Sequence, residues 1–212
     1  MSVEISGGAQ ERGVVVGNTF NKYDSSNPLI KWMMRNFQDV LDDFLEKSSP
    51  SSIHEVGCGE GFWVLHLADR GFNVRGTDFS ECVISLAKKN AFDLGEAFLF
   101  EVRSIYELNH KLDSADLIVC CEVLEHLNDP ALALKSLQRV VKKNLIISVP
   151  REPLWRFLNI MRLKYVLNLG NTPGHIQHWS KKDFIKLISC YFDVVEVRSP
   201  VPWTMLLCRP LK

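Results

Sequence analysis

A glycine-rich turn is the feature of this sequence with the clearest chemical meaning. It reads Glu55-Val-Gly-Cys-Gly-Glu-Gly61, follows a short β-rich run and opens a helical pattern. Gly57, Gly59 and Gly61 allow a tight turn in which a ligand contacts bare backbone. The helix start behind it offers amide N–H groups and a partial positive charge, which suit a carboxylate or a phosphate. The turn therefore predicts a binding site for an anionic or nucleotide-like ligand.

An acidic residue lies where a ribose contact is expected. Asp78 follows Gly57 by 21 residues, at the end of the next predicted strand. A carboxylate there can accept hydrogen bonds from both ribose hydroxyls. A nicotinamide-dependent oxidoreductase, the first alternative, would need GxGxxG, but residue 62 is Phe. A non-catalytic binding protein that keeps the cofactor-binding fold is the second alternative.

A second group of reactive side chains follows the fourth predicted strand. Glu122, Glu125 and His126 lie within five residues, and His175 and His178 precede a later helix. His126 or His175 can act as a general base toward a hydroxyl group. Alternatively, the two glutamates with His126 and His175 bind a divalent metal, or these groups form only a structural network. We predict His126 and His175 as catalytic residues and assign no metal.

The elements that position these groups alternate along the chain after Pro50. Strands are predicted at 52–56, 73–78, 97–102, 115–121, 144–150, 193–199 and 204–209, with helices at 61–70, 80–94, 130–142 and 180–191. This alternation predicts an α/β fold with a mostly parallel, seven-stranded sheet and helices on both faces. The last two strands are too close for a crossover helix, so we expect one antiparallel edge hairpin.

Two further segments flank this core. Residues 1–17 are rich in glycine and small polar residues and predict a flexible N-terminus, whereas 18–212 form a single domain. Apolar residues at helical spacing predict an N-terminal cap helix at 28–46. The insertion 151–175 fits no crossover. It predicts a helical lid, because open α/β sheets bind ligands outside the carboxyl ends of their strands.

The glycine turn and the fourth strand together resemble a known family. The spacing GxGxG after Glu55 and the segment Ala115-Asp-Leu-Ile-Val-Cys-Cys-Glu-Val-Leu-Glu-His-Leu-Asn-Asp-Pro130 are similar to class I S-adenosylmethionine-dependent methyltransferases. The small-molecule branch, which includes ubiquinone-pathway O-methyltransferases, is the most similar. The resemblance extends over about 18–209. It implies a Rossmann-like fold, S-adenosyl-L-methionine as cofactor, and methyl transfer to a small or lipophilic acceptor, preferably at oxygen.

The resemblance also implies which residues contact the cofactor. The glycine turn would face its methionine part, Asp78 its ribose hydroxyls and Phe79 its adenine. The end of the fourth strand would form the floor near the sulfonium. The residues of the turn and of the floor are Glu55, Gly57, Cys58, Gly59, Gly61, Cys121 and Glu122.

The chain departs from the family at the adenine. Family members often carry Gly-Asp after the third strand, and this acid receives the adenine amino group. Here the equivalent dipeptide is Arg103-Ser104. Ser104 can still accept a hydrogen bond, and the Ile105 backbone can contact the ring, so these two residues are the expected adenine contacts.

Composition limits the partners. Lysine plus arginine and aspartate plus glutamate number 25 each, so the net charge is zero. A protein that binds nucleic acid by neutralising phosphates is usually basic, which argues against a nucleic-acid substrate. The six cysteines include no CxxC pair, and the N-terminus lacks a secretory pattern. We therefore expect a reduced, cytoplasmic protein.

The lid combines large apolar side chains with positive charge. Residues 151–167 hold four basic residues against one acidic residue. A helix at 153–167 therefore suits a lipophilic acceptor or a peripheral contact with an anionic membrane. A cap helix packed on the core is the simpler alternative. The sequence carries no sign of the oligomeric state.

Overall fold

The computed structural model describes residues 3–11, 13–92, 95–96, 99–161, 165 and 168–211. Its centre is a seven-stranded sheet with the strand order β5-β4-β3-β6-β7-β9-β8, and β1 and β2 form a separate small hairpin. The strands are β1 (Gln10–Glu11), β2 (Val14–Val15), β3 (Ile53–Val56), β4 (Val74–Asp78), β5 (Phe100–Val102), β6 (Ala115–Cys121), β7 (Val141–Pro150), β8 (Phe192–Arg198) and β9 (Trp203–Pro210).

The direction of the strands agrees with the sequence pattern. β3 is parallel to β4 and β6, and β5 and β7 continue the parallel sheet on either side. β9 is antiparallel to both β7 and β8. The predicted Rossmann-like sheet with one antiparallel edge hairpin is thus confirmed. The chain order reverses between β3 and β6, and the carboxyl ends flanking such a reversal form a ligand crevice in open α/β sheets.

Helices cover both faces of the sheet, as predicted. One apolar layer includes Phe37, Trp63 and Ile84, and the other includes Leu134 and Phe184. The helices are α1 (Pro28–Ser48), α2 (Phe62–Asp69), α3 (Glu81–Phe92), α4 (His110–Asp113), α5 (Pro130–Val140), α6 (Leu154–Met161) and α7 (Lys181–Ser189).

Element boundaries differ from the prediction by a few residues. The cap helix α1 runs two residues past 46. α5 ends before 142, because Val141 already pairs with Ala115 of the neighbouring strand. Of the predicted helix 80–94 and strand 97–102, positions 93–94 and 97–98 lie outside the described residues.

The N-terminal segment, which the sequence predicts to be flexible, contacts the rest of the domain at several described residues. The carboxylate of Glu60, a residue only 2% exposed, accepts backbone N–H groups from Ser6 at 3.0 Å and from Asn18 at 2.7 Å. Val3 is buried in the core. The described part of 1–17 therefore has specific partners. The partners lie far along the chain, so local composition carries no sign of these contacts.

The lid insertion is anchored at its end to the loop after β6. The backbone N–H groups of Ile176 and Gln177 donate to the carbonyl oxygen of Glu125 at 2.9 and 3.0 Å. α6 forms the lid helix, while 162–164 and 166–167 lie outside the described residues. In the part of the chain that is described, no helix is both long and apolar enough to span a bilayer.

Candidate active site

A cavity of about 430 Å³ opens at the carboxyl ends of the central strands. The glycine turn, the loop after β6, the lid and part of the N-terminal segment line it. The structure thus brings the glycine turn and the side chains that follow the fourth predicted strand together at one cavity. The predicted site residues that line it are Glu55, Gly57, Cys58, Gly59, Asp78, Phe79, Ser104, Ile105, Cys121, Glu122, His126 and His175.

The glycine turn is held by backbone geometry. The amides of Gly57 and Cys58 both donate to the carbonyl oxygen of Thr77, at 2.7 and 3.0 Å. Gly57 has φ 77°, in the left-handed region that favours glycine. A Cβ atom there would lie 2.3 Å from Cγ2 of Val123, so no side chain fits. The turn leaves bare backbone against the cavity, which fits a closely bound ligand.

Gly61 belongs to the packing of the core rather than to the cavity. Its φ is 87°, and a Cβ atom there would lie 2.6 Å from Cζ of the buried Phe100 and 3.3 Å from Cβ of Ala87. Gly61 is not one of the residues that line the cavity. Its expected contact with the cofactor therefore has no counterpart there. Spacing identifies three glycines of one turn without revealing which way each one faces.

Asp78 ties the turn to the next helix. Its Oδ2 accepts the N–H of Gly59 at 3.1 Å, and its Oδ1 accepts the N–H of Ser80 at 3.0 Å. Burial raises the pKa of this carboxyl, although both hydrogen bonds oppose the rise. Each oxygen retains a lone pair, so the same carboxylate can also accept ribose hydroxyls.

The predicted adenine end is more open. Phe79 is 44% exposed at the cavity edge, beside Ile105. The Ser104 hydroxyl accepts the N–H of Tyr106 at 3.3 Å, which caps a short 3-10 turn. Arg103 forms an ion pair with Asp113 at 3.1 Å. At 103–104 the acid of the family is therefore replaced by a serine that already caps a turn. The arginine before it is already part of an ion pair.

Glu55 provides a test of whether the site fits the cofactor. The residue is 3% exposed, and its Oε2 has no hydrogen-bond partner among the described residues. Burial raises the pKa of this carboxyl to about 8. A buried polar group without a partner is costly, so it calls for a donor from a ligand. The ammonium group of the methionine part of S-adenosylmethionine is such a donor, and the residues present fit it.

Glu122 lies outside any helix of the described residues. Its φ is 61°, which is left-handed, and the short 3-10 turn Leu124–His126 begins after it. Its Oε2 accepts the indole N–H of Trp203 at 2.5 Å. Burial raises the pKa of the carboxyl to about 7, against the opposing effects of Lys22, Trp203 and Ser148.

The two predicted catalytic histidines lie together. The rings of His126 and His175 are 4.8 Å apart and perpendicular. Nδ1 of His126 lies 3.0 Å from the carbonyl oxygen of Gly174, so Nδ1 carries the proton and Nε2 is the basic nitrogen. His178, by contrast, is exposed and bonded to Asn171 at 2.8 Å, and it does not line the cavity.

Burial keeps both histidines neutral. It lowers the pKa of His126, and it lowers the pKa of His175 to about 3 with the help of the neighbouring His126. Glu125 beside them is buried, neither of its carboxyl oxygens has a hydrogen-bond partner among the described residues, and burial raises its pKa. Ligand atoms of Glu125, His126 and His175 lie within 4.8 Å of one another. Such a group can move a proton or bind a cation.

Sequence reasoning assigned no role to two cavity residues, Lys22 and Trp203. Lys22 stands in a polar stretch with no distinguishing pattern. A buried tryptophan usually finds an acceptor for its N–H, which is the one signal that Trp203 offered. Its partner Glu122 is 81 residues away, so spacing could not identify it.

Comparison with known proteins indicates a methyltransferase domain. The family described as methyltransferase domain matches residues 54–149. The chain is 29% identical over 170 residues to the ubiquinone biosynthesis O-methyltransferase of Hahella chejuensis, which covers 74% of this chain and 70% of that protein. It spans only about half the length of further relatives with that name, for example 55% and 51% of two of them.

Solved structures share the fold. The PH0226 protein of Pyrococcus horikoshii superposes with a TM-score of 0.72 at 19% identity, over 91% of this chain and 96% of that one. Magnesium protoporphyrin IX methyltransferase from Synechocystis, solved with bound SAH, gives 0.64 at 19% identity over 88% and 89%. The domain match and the relatives favour a methyltransferase over the oxidoreductase alternative. They support the resemblance of this chain to class I S-adenosylmethionine-dependent methyltransferases.

Proposed function

We propose that the protein transfers a methyl group from S-adenosylmethionine to an oxygen atom of a small or lipophilic acceptor. The observation that carries the proposal is that the glycine turn with Asp78 and the cluster around His126 line one cavity. The name of the relatives, O-methyltransferase, supports oxygen as the acceptor atom. When bound, the cofactor supplies an electrophilic methyl group on a sulfonium and leaves as a neutral thioether.

In this proposal His126 accepts the proton of the acceptor hydroxyl. Its Nδ1–H donates to the carbonyl oxygen of Gly174, so Nε2 carries no proton and can accept one. Because burial lowers its pKa, the ring is unprotonated at neutral pH and ready to act as a base. His175 stays neutral and packs edge-on against His126, which holds that ring in place.

The lid holds His175 from the opposite side. Its ring stacks on Trp155 with centroids 5.9 Å apart, and the indole N–H of Trp155 donates to the Thr172 hydroxyl at 2.9 Å. Asn159 donates to the same hydroxyl at 3.2 Å. These contacts fix an aromatic wall beside the proposed base. Such a wall suits a flat or apolar acceptor.

A metal-assisted variant of the same reaction is the second candidate. It is favoured by the close approach of Glu125, His126 and His175 and by the two unpartnered oxygens of Glu125. A divalent cation held there would polarise an acceptor hydroxyl and lower its pKa. Glu122, the fourth ligand considered from the sequence, is bonded to Trp203 and is not part of this group. Treatment with a chelator followed by Mg²⁺ or Zn²⁺ separates the variants, because only the metal-assisted reaction is lost and then restored.

A peripheral contact between the lid and an anionic membrane is part of the proposal for a lipophilic acceptor. Phe157 and Met161 on α6 are 57% and 68% exposed, which supports it. The variants F157S and M161S should then reduce co-sedimentation with anionic lipid vesicles, and unchanged sedimentation would contradict the contact. We also keep a cytoplasmic location in the proposal. It is supported by unpaired thiols such as Cys82 and Cys190, which are exposed.

The test combines calorimetry with methyl transfer. S-adenosylhomocysteine should bind and NADH should not; binding of NADH alone would overturn the proposal. Labelled S-adenosylmethionine is then offered with phenols that carry or lack an alkyl chain, and with amines of matched shape. We expect transfer to a phenol oxygen, and transfer to the amines alone would contradict it. H126Q should reduce transfer at least about a hundred-fold, the lower range for a general base, while the Kd of S-adenosylhomocysteine stays within about two-fold.

A further inference from the structure

The buried indole of Trp203 is hydrogen-bonded to the carboxylate of Glu122 in the cavity, across the strand that separates the two residues in the sheet. Trp203 begins β9, Glu122 follows β6, and β7 lies between these two strands. The backbone N–H of Glu122 donates to the carbonyl oxygen of Ser148 in β7 at 3.1 Å. The indole N–H then reaches across to Oε2 of Glu122 at 2.5 Å. The carboxylate is thus held from its backbone and from its side chain.

Packing leaves the indole few other positions. Trp203 is 2% exposed, its ring meets Phe37 edge-on at 5.1 Å, and Trp155 lies 5.9 Å away. An indole nitrogen can only donate, and burial makes an unpaired N–H costly. A hydrogen bond to an ionised carboxylate is one of the stronger kinds, and the bond from Trp203 favours the ionised form of Glu122. The aromatic packing therefore fixes the position of the Glu122 carboxyl.

The backbone conformation and the position of Glu122 indicate that its side chain is held in place for a function. A left-handed φ of 61° is unusual for a residue with a side chain, and it persists only where the surroundings enforce it. The residue lines the cavity. Its second oxygen, Oε1, has no well-formed hydrogen bond among the described residues, although the Ser148 hydroxyl lies near the carboxyl. The carboxylate consequently has capacity for a donor from a ligand.

We propose that Trp203 is a positioning residue, which holds the Glu122 carboxylate at the cavity floor so that it receives a hydrogen-bond donor of the bound ligand. This proposal rests on the proposed function. The donor is an ammonium or a hydroxyl group. An ammonium would come from the methionine part of the cofactor, and a hydroxyl from the acceptor. Trp203 itself acts only through Glu122.

A double-substitution cycle tests this coupling. W203F removes the indole N–H and keeps an aromatic ring, and E122Q keeps the shape and removes the charge. W179F is the matched control, since Trp179 packs on Phe184 in the opposite apolar layer and does not line the cavity. The Kd of S-adenosylhomocysteine reports on the ammonium source. The kcat/KM for a phenol that the wild type methylates reports on the hydroxyl source.

In W203F, either the Kd of S-adenosylhomocysteine should rise or kcat/KM should fall, by about ten- to a hundred-fold, which is the range expected for a hydrogen bond to a charged group, and W179F should equal the wild type. The double variant should be no worse than E122Q within about two-fold, because coupled residues are not additive. Losses that multiply, or a W203F protein with both readouts unchanged, would overturn the proposal.

Two arms of the experiment keep its outcomes separable. If the wild type binds S-adenosylhomocysteine but methylates no oxygen acceptor, the proposed function fails while the affinity cycle still tests Trp203. Should W203F fail to fold, the indole N–H resonance of Trp203 in the intact protein serves instead. It should move upfield in E122Q, because the hydrogen bond weakens, and an unmoved resonance would contradict the positioning role.

Discussion

Substitution by alanine should affect different properties at two glycines of the same turn: ligand binding at one and stability at the other. Gly59 lines the cavity, and among the described residues a Cβ atom there would meet only Nδ2 of Asn18, at 3.9 Å. Gly61 faces the core, where a Cβ atom overlaps the ring of Phe100 at 2.6 Å. G59A should therefore weaken cofactor binding with a small effect on the fold, whereas G61A should weaken the fold.

The magnitudes follow from the backbone angles and the contacts. Both glycines have positive φ, 55° and 87°, and an L-residue in the left-handed region costs about 1–2 kcal/mol. G61A adds overpacking of about 1–3 kcal/mol, so its total is about 2–5 kcal/mol of a typical 5–15 kcal/mol. At about 2–4 °C per kcal/mol, Tm should fall about 2–8 °C in G59A and about 4–20 °C in G61A.

G71A isolates the backbone cost. Gly71 has φ 83°, no atom of the described residues lies within 4 Å of an added Cβ, and Gly71 is outside the cavity. Thermal unfolding of the three variants, with calorimetry of S-adenosylhomocysteine binding, is the assay. G59A should match G71A in Tm yet bind the ligand at least about ten-fold more weakly, equivalent to about 1.4 kcal/mol. The reasoning fails if G59A binds like the wild type, or if G61A loses affinity while keeping the Tm of G71A.

Three further substitutions test other parts of the structure. D78A should abolish measurable ligand binding by calorimetry and also lower Tm, because Asp78 accepts N–H groups from Gly59 and Ser80; an unchanged Tm would contradict the second effect. Burial lowers the pKa of His54 to about 4, below its unfolded value of about 6.5, so its stabilising contribution is lost as pH falls between these values. In H54Q, the free energy of unfolding measured in urea should therefore fall by about 3 kcal/mol less than in the wild type across that pH range. An unaltered dependence on pH would refute the role of His54. E60Q should increase proteolysis within the first twenty residues, because Glu60 accepts the N–H groups of Ser6 and Asn18; wild-type resistance would contradict this role.

The sheet and the shared position of the glycine turn and Asp78 could be predicted because their signals are local. A strand that ends in glycines, and an acid at the tip of the next strand, place Gly57 and Asp78 at the same edge through the parallel topology alone. His126 and His175 were recognisable as reactive residues at predicted strand and lid positions. Their approach to 4.8 Å, however, depends on the bonds that anchor 176–177 to Glu125.

The parts that could not be predicted depend on contacts between distant segments. Trp203 meets Glu122 only because β9 inserts beside β7, which is a matter of strand order rather than of spacing. The N-terminal segment contacts Glu60, a residue that reads in sequence as one more acid of the glycine turn. The motif also does not distinguish Gly59, where an added Cβ would have space, from Gly61, where it would meet Phe100.

Three carboxyl groups connect the stability of the fold with its ligands. Glu55, Glu122 and Glu125 line one cavity, and burial raises the pKa of each of them. An acid whose folded pKa lies above its unfolded value holds a proton that the unfolded chain has lost, so its contribution to stability falls as pH rises; for Glu55 the window runs from about 4.5 to about 8. A ligand that donates hydrogen bonds to these groups reverses part of that cost and binds only the folded state. The carboxyl oxygens that have no hydrogen-bond partner among the described residues therefore lower the stability of the protein without ligand and favour ligand binding. The stabilisation that a ligand provides should grow as these acids ionise.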